Sequence, residues 1–349
     1  VPVTPQHDRP GTDGPIAERA DAPGVLELPS AHLGLTWRPL ETRDAATVQA
    51  LVATIETADG VSRRTTGAEL ERWLATPWLD LAHDSLGGFD HTGELRAYGL
   101  VEIRPGDETC VRAFLNGGVH PEWRGGGLGR ALVAWMEGRG RQMLAATGRT
   151  GPARLAAYVD ELARDYRQLY AAAGFSPIRW FTDMRRDLAE PLPMAAEPLG
   201  VHLVPWTTEF DDAARLAHNV AFRDHWGSQP HTVESWHDWV HGPHHEPAWS
   251  LLAVDDAGDV AGYLASERHG TEVQGYDSGF TSVLGVVPQW RHKGLATALL
   301  VRAMRLYREA SMPYATLDVD AENPSGAHTL YAHLGYEPTH SWVLYSVEI

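Results

Sequence analysis

Apolar and polar positions alternate on both sides of a short Asp/Gly stretch in Gly88–Glu102 (GFDHTGELRAYGLVE), and again in Leu252–Glu267 (LAVDDAGDVAGYLASE). Alternation gives a strand one apolar face, and Asp and Gly tolerate the backbone of a tight turn, so each segment predicts an antiparallel hairpin. The pattern then lengthens to a helical period. Leu295, Leu299, Leu300, Ala303, Met304 and Tyr307 share one face of a helix predicted over Thr297–Arg308. A strand over Phe280–Val286 precedes it and ends before Pro288, which has no N–H for a sheet ladder. Further strands are predicted over Ala315–Asp320 (ATLDVD) and Thr109–Leu115.

These patterns occur twice in one order, at a spacing of roughly 165 residues. Leu35–Ala46 (LTWRPLETRDAA) answers Leu203–Ala214 (LVPWTTEFDDAA), the two hairpins answer each other, and Val119–Met136 (VHPEWRGGGLGRALVAWM) answers Val286–Met304 (VVPQWRHKGLATALLVRAM). One such agreement arises easily by chance; three collinear ones indicate duplication. The chain therefore reads as a flexible leader (1–30), a first domain (31–187), a proline-bearing linker without periodicity (188–200) and a second domain (201–349). The expected class is α/β, with a mixed α+β sheet in each domain.

A length of 349 residues suits two domains, and 43% hydrophobic with 21% charged residues is ordinary for a globular chain. No apolar run reaches the length of a membrane span. Cys110 is the single cysteine, which excludes an internal disulfide and a multi-cysteine metal site. It is expected as a buried, inert thiol in the Thr109–Leu115 strand, and a cytoplasmic location is the default. The formal charge of −17 repels a phosphate backbone, so nucleic acid is not an expected partner, whereas a cationic acceptor such as an amine is.

An anionic ligand needs a local cluster of donors in so acidic a chain, and two such clusters exist. Arg291, His292, Lys293, Gly294, Leu295, Ala296 and Thr297 turn from a strand into a helix. Gly294 permits backbone torsions closed to other residues, Ala296 leaves room, and the free N–H groups at a helix start favour phosphate oxygens. Arg124, Gly125, Gly126, Gly127, Leu128, Gly129 and Arg130 repeat that grammar after Val119 and Pro121. Neither loop fits a dinucleotide fingerprint or a Walker loop, whose glycine and lysine spacings differ.

The arrangement Val-x-Pro followed by Arg/Gln-x-x-Gly-x-Gly/Ala resembles the acetyl-CoA pyrophosphate loop of the GNAT acetyltransferase superfamily. So does the later series Asn323, Gly326, Leu330, Tyr331, Leu334, Gly335 and Tyr336. The resemblance covers most of both domains and implies two tandem GNAT-like acyl-CoA N-acyltransferase domains using acetyl-CoA. It further implies that the backbone N–H of Val286 faces the thioester carbonyl, that Asn323 contacts the CoA arm, and that Tyr331 protonates the leaving thiolate. In the first domain Tyr170, Gly174 and Phe175 match, but Leu162 stands in place of Asn323, so catalysis is expected mainly in the second.

No residue stands out as the general base; Asp277 and Glu234 are the candidates, each with a surface carboxylate as the plain alternative. The acceptor side is expected in Asn219–Trp249, where Trp226, Trp236, Trp239 and Trp249 mix with histidines and suit a small cationic ligand. His237 and His241 share a helical face, yet no third ligand follows by spacing, so helix packing is preferred to a metal. A small-molecule primary amine is the expected acceptor. A protein or peptide acetyltransferase and a non-catalytic acyl-CoA sensor are the alternatives.

Overall fold

A computed structural model describes residues 14–61, 63–322 and 326–349. The chain divides into two compact units, and neither is a continuous stretch of sequence. The first holds the chain up to Gly60, Glu69–Ile178 and Leu344–Ile349; the second holds Val61–Ala68 and Arg179–Val343.

In the first unit, strands β1 (Thr36–Arg38), β2 (Ser85–Phe89), β3 (Leu95–Ile103), β4 (Val111–Val119) and β5 (Ala153–Asp160) follow in spatial order. All pair antiparallel except β4 and β5, which run parallel from Val111↔Ala153 to Phe114↔Ala156 and then part. The unit also carries helices α1 (Ala45–Asp59), α2 (Leu128–Ala146) and α3 (Arg164–Ala172). Helix α2 lies close on the sheet because Gly140 faces it: a Cβ there would come within 2.6 Å of Leu155. The predicted hairpin is β2–β3.

Two expectations for this unit need correction. The leader reading of residues 1–30 fails from residue 14 onward, residues 1–13 lying outside the described ones. Ile16 and Ala20 are fully buried, Ile16 N–H donates to the Arg149 carbonyl at 2.9 Å, and the Arg19 guanidinium donates to the Gly151 and Ile349 carbonyls. Farther on, Arg141 and Gln142 donate to the Ala20 and Pro23 carbonyls, each at 2.8 Å. Backbone and apolar groups satisfied in this way do not stay loose. Cys110, placed by alternation within a strand, precedes β4 and is half-buried; burial raises its pKa, which keeps the thiol protonated and unreactive.

The second unit repeats the plan. Strands β7 (Val201–Pro205), β8 (Leu251–Asp255), β9 (Val260–His269), β10 (Ser278–Val286) and β11 (Tyr314–Asp320) follow in order, and β6 (Ser176–Asp187) pairs on the far edge of β11. Strands β10 and β11 run parallel from Ser278↔Tyr314 to Thr281↔Leu317, after which the pairing stops and a fork opens. A bulge between Thr281 and Val283 shifts the register of β10 against β9 at that same level. Helices α4 (Asp211–Ala221), α5 (Val233–Val240), α6 (Leu295–Glu309) and α7 (Ala327–His333) complete the unit, with β12 (Glu337–Glu348) contributing through Val343.

Helix α6 buries Leu299, Leu300, Met304 and Tyr307, the apolar stripe seen in the sequence, at roughly 1.5–3 kcal/mol per large side chain. The Tyr307 hydroxyl is satisfied by Ser266 Oγ (2.7 Å) and Thr281 Oγ (3.1 Å), and Gly279 leaves space for the ring. The 188–200 segment, expected as an interdomain linker, lies within this unit. Leu188 is 1% exposed and donates its N–H to the Pro313 carbonyl at 2.9 Å, Leu192 and Ala195 pack on the core, and Arg186 donates to the Pro191 carbonyl at 2.8 Å. A run without periodicity can still be pinned by a few apolar anchors.

Candidate active site

The fork of the second unit is lined by backbone. Val287 N–H donates to the Ala261 carbonyl at 3.1 Å, which makes 287 and 261 a hydrogen-bonded pair; Val286↔Gly262 and Leu284↔Leu264 are then non-bonded pairs. In an antiparallel ladder, groups of a non-bonded pair point away from the partner strand. The N–H groups of Val286 and Leu284 therefore face the side from which β11 has departed. Val286, expected from the sequence, is joined by Leu284, one step deeper; finding it required the register of β9. In the first unit His120 N–H donates to the Arg96 carbonyl at 2.8 Å, and the same parity turns Val119 N–H to its own fork.

Beyond each strand end the loop winds through left-handed backbone. His292 (φ 60°) and Gly294 (φ 84°) alternate with ordinary residues, as Gly125 (φ 85°) and Gly127 (φ 95°) do in the first unit. Such alternation turns successive N–H groups inward, a concavity suited to an anion. Gly294 and Gly127 then stand as N-caps without any side-chain hydrogen bond, so the first-turn N–H groups of Leu295, Ala296 and Thr297, and of Leu128, Gly129 and Arg130, have no cap.

The arginines do something other than supply free charge. Arg291 donates to both Asp224 carboxylate oxygens (2.7 and 2.9 Å), to the Ala221 carbonyl (2.7 Å) and to the Val286 carbonyl (3.2 Å). Arg124 pairs with Asp59 (2.5 and 2.9 Å) and donates to the Val119 carbonyl (3.2 Å). Each clamps the loop to its strand and to an acidic residue at or just past the end of the first helix of its unit, and its charge is spent there. The expectation that Arg291 adds net positive charge for phosphates is corrected accordingly. Lys293 lies 4.5 Å over the Trp290 ring, which leaves the backbone N–H groups as the main anion donors.

In the first unit the loop opens on a cavity of about 500 Å³, lined by Val119, Arg124, Gly125, Gly127, Gly129 and Arg130 of the predicted residues, together with Tyr166 and Tyr170 of α3. Gly126 and Leu128 are not on its wall. Tyr166 closes the deep end. Its hydroxyl lies beside the Val119 N–H, burial pushes its pKa up to about 12, and a Cβ on Gly118 would lie 2.7 Å from its oxygen. By the same parity Gly117, the counterpart of Leu284, also turns its N–H to this fork, and it lines the cavity. Counting from the shared Tyr-x-x-x-Gly-Phe/Tyr series, the position of Tyr166 is Ala327 in the second unit.

Tyr331 sits on α7, half-buried, with its ring edge-on to Tyr336 at 6.1 Å. Burial, reinforced by the Asp318 carboxylate, raises its pKa, so the phenol is a proton donor at neutral pH. Asn323 lies outside the described residues. Glu234 stands exposed in the first turn of α5. Asp277 is misplaced for a base at this fork: it precedes β10 and is nine residues before Val286, about 30 Å at the rise of a strand. A carboxylate that sequence reading passed over is better placed. Asp318 on β11 is the first residue beyond the last β10–β11 pair, and burial, then Asp183, then Glu267 raise its pKa to about 7, with Arg63 opposing.

The expected aromatic acceptor wall is largely core. Trp236 (2% exposed) packs with Trp206 and Tyr263, and Trp249 lies edge-on to Tyr307. His218 is buried among them with Nδ1 2.5 Å from the Tyr263 hydroxyl, and burial lowers its pKa to about 3. His241 bonds to Asp211 at 2.9 Å and stacks near His237, and among the described residues no group of three or more potential metal-ligating side chains is gathered. The Trp226 ring is covered by the Arg179 guanidinium at 4.8 Å. No helix among the described residues is long and apolar enough to cross a membrane.

A strand fork with inward N–H groups, a left-handed anion loop and an uncapped helix, all present twice, define a tandem acyltransferase. Residues 212–336 match the family described as "Acetyltransferase (GNAT) family". The mycothiol acetyltransferase of Acidothermus cellulolyticus is 31% identical over 270 residues, spanning 74% of this chain and 75% of the relative. A GCN5-related N-acetyltransferase from Sphaerobacter thermophilus superposes with a TM-score of 0.70 at 27% identity, over 92% of this chain and 97% of the other. A tandem GNAT protein from the clavulanic acid biosynthesis pathway shares the fold, with a TM-score of 0.66 at 22% identity over 90% and 98%. The chain belongs to the GNAT acetyltransferase family, and it is an acyltransferase that draws on an acyl-CoA donor.

Proposed function

We propose that the second unit moves the acetyl group of acetyl-CoA to a primary amine of a small molecule. The observation that carries this reading is the contrast between the two forks. Leu284 and Val286 turn two N–H groups to the second fork, where the counterpart of Tyr166 is the small Ala327, whereas in the first fork the Tyr166 hydroxyl lies beside the Val119 N–H. A thioester carbonyl gains negative charge as it is attacked, so an uncommitted pair of N–H groups is what the reaction needs. Tyr331, held protonated, supplies the proton that the departing sulfur takes. The loop of Gly294 and the uncapped start of α6 suit the diphosphate of the donor.

The acceptor class follows from the acidic balance of the chain and from the activity named for the mycothiol acetyltransferases, which are the similar enzymes. The first unit binds an acyl-CoA or CoA in its cavity without turning it over; the Tyr166 phenol in that cavity, beside the Val119 N–H, supports that second reading. The test is to mix the protein with acetyl-CoA and a panel of small primary amines, including the acceptor of the mycothiol acetyltransferases, and to follow release of the CoA thiol. Thiol release with at least one amine supports transfer. Tight calorimetric binding of acetyl-CoA without release across the panel would overturn it in favour of a sensor.

A further inference from the structure

Asp318 lies where the two central strands of the second unit separate. Leu317 is the last residue of β11 paired with β10, and Asp318 is the next one along. Alternation along β11 puts Leu317 and Val319 in the core under α6, and turns Thr316 and Asp318 to the opposite face, where Thr316 Oγ meets Ser278 Oγ at 3.1 Å. The side chain is half-buried. Tyr331 on α7 is close enough for the two groups to perturb one another. An acid and a base with environments that separate their proton affinities are what an acyl transfer to an amine requires.

The neighbouring carboxylates are otherwise engaged. Asp183 of β6, directly across from Asp318, accepts the Trp342 Nε1–H at 3.2 Å, and Glu267 of β9 lies 2.8 Å from His269 Nε2. The matching position in the first unit is Tyr158, which is 46% exposed and stacks on Phe114 at 5.8 Å. The carboxylate is therefore a property of the second fork.

Resting on the acetyl-transfer reading above, we infer that Asp318 is the general base that takes the proton from the acceptor amine. As the amine nitrogen bonds to the thioester carbon, an N–H proton passes to the Asp318 carboxylate. The C–S bond breaks and the sulfur takes the Tyr331 phenolic proton. The proton on Asp318 then returns to Tyr331 through solvent, leaving amide, free thiol and the original enzyme. The charged and titratable groups facing Asp318 are Asp183 from β6, Glu267 from β9, Arg63 from the segment before Ala68 and Tyr331 from α7. Burial and the two carboxylates outweigh Arg63 and bring its pKa to about 7, so it is exchangeable near neutrality.

The test combines kinetics with a spectrum. In wild type, kcat rises with pH through one ionisation near pH 7. Asp318→Asn lowers kcat by about 10²–10⁴-fold and abolishes that limb, with calorimetric acetyl-CoA affinity unchanged within about twofold. Asp183→Asn, which removes one negative neighbour, moves the limb to lower pH. Difference infrared spectra of the enzyme without substrates show a protonated carboxyl band that titrates near pH 7 and is missing from Asp318→Asn. Retention of rate and limb in Asp318→Asn, an unmoved limb in Asp183→Asn, or no such band would each overturn the assignment. Failure of every amine to release thiol from wild type overturns the functional reading instead; the infrared band reports on Asp318 independently of turnover.

Discussion

Ala327→Tyr transplants the side chain that fills the first fork into the second. In the first unit the phenol at this position reaches over Gly118 and lies beside the Val119 N–H. In the second, the equivalent strand end is Val286, with Leu284 deeper along the same edge. A hydroxyl seated on either N–H removes one of the two donors available to the developing oxyanion. Loss of one such donor costs about 2.7–4 kcal/mol, or about 10²–10³ in kcat. Ala327 is only partly buried, at the start of α7 and at the edge of the core. Thiol release at saturating acetyl-CoA and amine measures kcat; a thermal melt and calorimetric titration check that the fold and the diphosphate loop survive. A folded variant that binds acetyl-CoA and retains kcat within threefold of wild type would refute the role given to the strand-edge N–H groups. The reciprocal change, Tyr166→Ala, frees Val119 N–H and enlarges the first cavity beyond its present volume of about 500 Å³.

Gly294→Glu places a carboxylate where phosphates are to lie and forces a side chain onto a backbone with φ 84°; calorimetry should show acetyl-CoA binding to the second unit lost, and unchanged binding removes the site. Tyr331→Phe deletes the proton donor while keeping the ring, so kcat should fall by about 10²-fold or more with little change in acetyl-CoA affinity; an unaffected rate makes the tyrosine structural. His218 carries a folded pKa lowered to about 3 against an ordinary 6.5, because burial opposes its charge. The unfolded chain then takes up a proton at this site that the folded chain refuses, so stability falls as pH drops from about 6.5 toward about 3, by up to tenfold in the folding constant per unit. Urea midpoints across that range check the sign, and His218→Gln should flatten the slope.

Much of the site is written locally. The left-handed turns at Gly125, Gly127 and Gly294, the uncapped helices after them and the apolar stripe of α6 all follow from neighbours within a few residues, which is why pattern and spacing reveal them. The ion pair of Arg291 does not, since its partner Asp224 is 67 residues away, and a basic residue in a loop looks the same paired or free. The acceptor region misled for a related reason. Tryptophan and histidine suit both ligand walls and cores, and only packing shows Trp236 and Trp249 to be inside.

From its own residues the chain declares duplication, hairpins, two glycine-bearing loops ahead of helices and the absence of an internal disulfide, because each depends on periodicity, torsional freedom or composition. What tertiary structure decides is which strand edge is left open, and which charges meet there. Strand β6 brings Asp183 beside Asp318, β9 brings Glu267, and α3 lays Tyr166 over Val119 while α7 offers only Ala327. Electrostatic environment and backbone hydrogen-bond parity belong to pairs of distant segments, so two nearly identical motifs end as forks with different chemistry.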